Sequence, residues 1–64
     1  MNQAQVLDLS GKVARSTISV LDAMFQRGAI RGEEAGTVGG LRDQCAQLIS
    51  VVEEAEAEAA AEAE

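Results

Sequence analysis

Proline, histidine, tryptophan and tyrosine are absent from this sequence, and cysteine and phenylalanine occur once each, as Cys45 and Phe25. Each absence removes a class of structure or chemistry. A single cysteine cannot close a disulfide within the chain, and without histidine it makes no zinc site. A cysteine nucleophile needs a neighbouring base, usually histidine, so Cys45 reads as a small buried hydrophobe. In a symmetric dimer two such thiols would come near each other. The lack of proline and the scarcity of aromatics, beside abundant Ala, Glu, Gln, Leu and Arg, specify an all-helical chain. No apolar run reaches the ~20 residues that span a bilayer, and no basic segment followed by an apolar run opens the sequence. The expectation is a soluble protein with no membrane partner, in a cytoplasm reducing enough for a free thiol.

The chain of 64 residues is one small domain at most. Domains of this size bury too little surface to offset their conformational entropy comfortably and usually need a disulfide, a metal or a partner. With no cofactor or metal site in view, a partner or a second copy is the expected support. The net charge of −6 is unevenly placed. Through residue 50 the charges balance, with Lys12, Arg15, Arg27, Arg31 and Arg42 against Asp8, Asp22, Glu33, Glu34 and Asp43. The excess lies on Glu53, Glu54, Glu56, Glu58, Glu62 and Glu64. Nucleic-acid binding generally wants a basic face and a pI above ~9. Here the pI is about 4.4, and Arg27, Arg31 and Arg42 have acidic neighbours, so a nucleic-acid partner is not expected.

Apolar residues recur with helical spacing. Val38, Leu41, Cys45, Leu48, Val52 and Ala55 alternate steps of three and four, the seam along which one helix lies on another. Upstream, Val13, Val20, Leu21, Met24 and Phe25 belong to a stripe covering roughly half of a first helix, wider than the ~100° one neighbour needs. That helix is expected from about residue 3, capped by Asn2, to about 27, with Ser10-Gly11 as its weak point. Gly28 fits a left-handed position that ends it. Gly32 fits an N-cap for a second helix over about 33–60, with Glu33 and Glu34 favourably placed against its dipole, and Ile30 folds back over the turn at 28–32. A connection this short makes the helices antiparallel neighbours. The predicted fold is an antiparallel two-helix hairpin over residues 1–52, completed by self-association into a four-helix bundle, a dimer being favoured. In that bundle Val38, Leu41, Cys45, Leu48 and Val52 form the inner seam. The first helix's apolar residues face it and the partner chain.

Residues 53–64 form an acidic Glu/Ala extension whose helix is expected to fray beyond about 57–61, its end ordered only if it packs on something, because closely spaced glutamates repel and the C-terminal dipole disfavours anions. Charge runs are usually solvated, so the extension reads as a solubility or docking tail, ahead of nucleic-acid mimicry or a cation site, which lacks its turn and glycine. Gly36, Gly39 and Gly40 have neither the preceding strand nor the Lys-Ser/Thr of a phosphate loop. They read as packing or flexible positions early in the second helix. General acid–base chemistry needs a pocket that perturbs ionisable groups, and two helices do not enclose one; no catalytic residue is expected.

The run Phe25-Gln26-Arg27-Gly28-Ala29-Ile30-Arg31-Gly32-Glu33-Glu34, followed by Val38 and Leu41-Arg42-Asp43-Gln44, resembles the turn of short helical proteins from tailed bacteriophages and prophages. In these an aromatic-x-x-Gly-Ala-apolar-x-Gly-Glu-Glu segment joins the helices. The likeness covers about residues 20–50 and implies a phage accessory or virion-associated protein, in the host cytoplasm or the virion; it brings no functional residues with it. The function expected is a non-enzymatic interaction or assembly module, either self-associating or seated on a larger protein. The alternative is a small acidic regulator or inhibitor of one host or viral protein.

Overall fold

A computed structural model describes residues 1–63 as two helices, α1 over Gln3–Gln26 and α2 over Gly32–Ala63. They pack against each other as a hairpin, a rod 48 Å long and 16–18 Å across. Among the described residues there is no strand.

The ends of α1 follow from a few side chains. The Asn2 carboxamide oxygen accepts from the Gln5 backbone N–H at 2.8 Å, and Gln5 Oε1 accepts from the Asn2 N–H at 2.9 Å. This reciprocal pair satisfies two backbone donors that a helix start leaves free. At the other end Arg27 is the C-cap and Gly28 has φ of 71°. The Ala29 N–H donates to the Met24 carbonyl at 2.9 Å and the Gly28 N–H to Phe25 at 3.1 Å. That bonding pattern is a Schellman motif, and its left-handed residue explains why glycine stands there.

The start of α2 differs from expectation. Gly32 lies inside the helix, and Arg31 takes the cap position: its N–H donates to Glu34 Oε1 at 3.1 Å, and its carbonyl accepts from the Glu34 N–H at 2.9 Å. Glu34 reaches back as in a capping box, which a bare glycine cap could not reward with a side-chain bond of its own. Half-buried Ile30 covers the turn.

The helices meet along Leu7, Gly11, Ala14, Ile18 and Leu21 of α1 and Val38, Arg42, Cys45, Ile49 and Val52 of α2, every one buried or half-buried. Both lists step by four and three, so the contact is a heptad seam. Gly11, expected as a weak point, is buried inside an unbroken helix. A Cβ there would stand 3.3 Å from Val52 Cγ1. Its missing side chain is what lets Val52 sink to zero exposure. Among the described residues the buried apolar core is small: Ala14, Leu21, Cys45 and Val52.

α2 also runs further than expected, through the Glu/Ala segment to Ala63. Ala55, Glu58, Ala59 and Glu62 lie alongside Asn2, Gln3, Ala4 and Leu7 and share a cleft with them. Only Leu7 and Ala55 are half-buried there; Asn2, Gln3, Ala4, Glu58, Ala59 and Glu62 are exposed. Glu64 lies outside the described residues.

Candidate interaction face

The hairpin has two unlike sides. One is fastened by charge. Asp22 on α1 accepts twice from Arg42 on α2, from Nε at 2.7 Å and Nη2 at 3.2 Å, and Arg15 Nη2 stands 3.5 Å from Glu53 Oε1. The Arg42 hydrogen bonds, aided by its charge, hold the Asp22 carboxyl below the usual carboxylate range against a smaller opposing effect of desolvation. Lys12 and Asp8 pair at 2.9 Å along α1 itself, the i,i+4 spacing that helix geometry brings together.

The other side is apolar and open. Val6, Leu9, Val13, Val20 and Met24 follow one another along α1 at steps of three, four and seven, a second seam beside the one that meets α2. All are exposed, Val13 at 56% and Val20 at 58%. Leu41 and Leu48 of α2, exposed at 44% and 39%, add to it. Val6, Leu9, Val13 and Leu48, with Met1 and Ser10, line one open groove of about 300 Å³ between the helices. No charged side chain lines that groove.

The residues read from spacing thus divide. Leu21, Cys45 and Val52 are buried between the helices and Val38 is half-buried there. Val13, Val20 and Met24 lie on the open side, and Phe25 is 39% exposed at the hairpin's turn end. Leu41 and Leu48 were expected in the inner seam and are outside it, replaced by Arg42 and Ile49. The reason lies in adjacent pairs. Positions 41/42 and 48/49 differ by one residue, or 100° of helix, and 48/49 is apolar at both. The choice falls to the α1 side, where Asp22 binds Arg42 and draws it inward. Spacing on α2 alone missed this. The usable signal was an acid and a base that an antiparallel hairpin brings level.

Chemistry beyond packing is sparse. Cys45 is a free, buried thiol. Among the described residues no group of three or more His, Cys, Asp or Glu is arranged to hold a metal ion, and no helix is long and apolar enough to cross a membrane. No buried side-chain nitrogen or oxygen lacks a hydrogen-bond partner among them. The chain matches no protein-family model, no curated protein and no solved structure.

Proposed function

We propose that this chain is a non-catalytic helical interaction or assembly module that works through its open apolar side. One observation carries the reading: Val6, Leu9, Val13, Val20, Met24, Leu41 and Leu48 are all exposed on a hairpin whose buried core holds four apolar side chains. Scattered apolar residues on a surface are ordinary, but a contiguous uncharged patch marks a surface made to be covered. The turn resemblance suggests where such a module serves, as an accessory or virion-associated component of a phage.

The test compares the full chain with a Val20→Asp variant, each purified and then used as bait. An assembly module self-associates or holds a defined partner in stoichiometric amount, and Val20→Asp loses that association while its circular dichroism stays helical. If it is a virion component, the wild type also co-purifies with particles and the variant does not. Wild type and variant behaving alike as inert monomers overturns the reading.

The exposed Glu53, Glu54, Glu56, Glu58 and Glu62 favour a second reading, an acidic regulator that docks on a basic surface of one protein. Deleting residues 53–64 would not test it cleanly, because Glu53 pairs with Arg15 and Ala55 is half-buried. Exchange of Glu54, Glu58 and Glu62 for Gln keeps the helix and removes the charge. Loss of partner binding in that variant, with binding intact in Val20→Asp, would favour the regulator.

A further inference from the structure

We infer that the occupant of the open face is a second copy of this chain, related by a two-fold axis that crosses the helices at right angles, so that the two acidic ends lie far apart. The inference rests on the module reading above and specifies its partner and geometry. Three observations lead to it.

The first is area. A compact monomer of 6.7 kDa exposes about 3900 Å² by the usual scaling with mass. This hairpin exposes 4840 Å², an excess of about 900 Å², and a standard stable interface covers about 800 Å² on each partner. One face of a rod 48 Å long supplies that area only if both helices contribute, as Val6 to Met24 and Leu41 with Leu48 do. A second hairpin covers both and gives a four-helix bundle.

The second is self-complementarity. An isologous interface opposes each residue with another of the same patch. An axis crossing α1 near Ser16 and Thr17 sets Val13 of one copy over Val20 of the other, and Leu9 over Met24. The hairpin sets Gly11 beside Val52 and Asp22 beside Arg42, so the same axis meets α2 near residue 47 and brings Leu48 of one copy close to Leu48 of the other. No charged side chain lines the groove of Val6, Leu9, Val13 and Leu48, so Leu9 and Val13 bring no side-chain charge of their own against Met24 and Val20.

The third is charge at the ends. A two-fold axis running along the helices would lay the acidic end of one copy, with Glu53, Glu54, Glu56, Glu58 and Glu62, beside the same end of the other. The perpendicular axis lays it beside the turn end. There Arg27 and Arg31, which form no ion pair among the described residues, balance Glu33 and Glu34. An acidic end over a neutral one with two free guanidinium groups is favoured over acid upon acid, by an amount that falls as salt screens it.

Sedimentation equilibrium of the full chain over a wide concentration range, with oxidative cross-linking of single-site variants, tests both parts. Native Cys45 is retained, and peptide mapping identifies the linked pair. The expected results are a reversible dimer, lost in Val20→Asp. Ser16→Cys, beside the axis, closes a disulfide between copies, while Ala61→Cys, at opposite ends of the bundle, does not. A wild type that stays monomeric and helical overturns the second copy as occupant. If that monomer captures another protein through the same face, the module reading stands without this one; if it binds nothing, both fall. A dimer that links through Ala61→Cys, or through neither site, overturns the proposed axis. So does a dimer that Val20→Asp leaves intact.

Discussion

A methyl group added at Gly11 meets Val52 Cγ1 at 3.3 Å and Arg15 Nη1 at 3.0 Å, whereas one added at Gly40 meets nothing within 4 Å. Alanine in place of an interior helical glycine is worth about 0.8–1 kcal/mol from the backbone alone. Gly40→Ala should gain that amount nearly in full. At Gly11 the guanidinium end swings aside easily, but Val52 is completely buried, and displacing it strains the tightest part of the seam. Gly11→Ala should therefore fall short of Gly40→Ala by about 1 kcal/mol or more in denaturant melts. Equal gains at both sites would mean that the helices are free to part. Asp22 gives a second residue-scale prediction. Its folded pKa is lowered, chiefly by the Arg42 hydrogen bonds, so its contribution to stability is fully present above the unfolded value of about 3.9 and is lost as pH falls through the folded value. Across that acid window the wild type should lose stability relative to Asp22→Asn, measured as the difference in their melting temperatures. A constant difference would mean the pair does not hold the helices in solution.

At the scale of the helix, most of the hairpin was legible in the sequence because its signals are local. Asn2, Gly28 and the short turn act within a few residues of themselves, and Ala, Leu and Glu set the helical periods around them. The phase of α2 was not legible. Leu48 and Ile49 fit the apolar pattern equally well, and only a long-range partner, Asp22 against Arg42, decides between them. The length of the acidic helix was legible only as a condition, that its end is ordered if it packs on something. Its local chemistry argues for fraying near residues 57–61, yet the helix continues to Ala63, with Glu58 and Ala59 beside Ala4 and Leu7. The local repulsion still acts there, and Glu58 lies four residues from both Glu54 and Glu62. Each such like-charge pair costs about 0.2–0.5 kcal/mol in an exposed helix. Glu58→Lys turns both into attractions and should raise the helical circular dichroism and the melting temperature, most visibly at low salt. No change in either would show that packing against α1 already fixes these turns against their own charge.

For the molecule as a whole, the stripe on α1 was readable as wider than one neighbour covers, but the sequence could not say which side chains α2 leaves exposed. The hairpin sorts them. Cys45 and Val52 go to the inner seam, and Val13, Val20, Leu41 and Leu48 stay outside. This sorting changes what Leu48→Asp should do. Were Leu48 an inner residue, an aspartate there would bury an unpaired charge and unfold the chain outright. At 39% exposure on the outer face it leaves the interhelix seam intact and disrupts only what covers that face. A core of Ala14, Leu21, Cys45 and Val52 is nevertheless too small to carry a comfortable margin alone, so anything bound to the folded form adds stability that grows with its concentration. If the second copy proposed above is what binds, wild-type thermal melts should shift upward as protein concentration rises. Leu48→Asp should melt at a lower temperature that does not depend on concentration, while remaining helical in the cold. Val52→Ala, which removes two buried carbons at about 0.8 kcal/mol each before any cavity cost, should lower the melting temperature yet keep its concentration dependence. That contrast separates the two faces. If Val52→Ala abolished the concentration dependence and Leu48→Asp preserved it, the inner seam rather than the open side would be the surface that joins the copies.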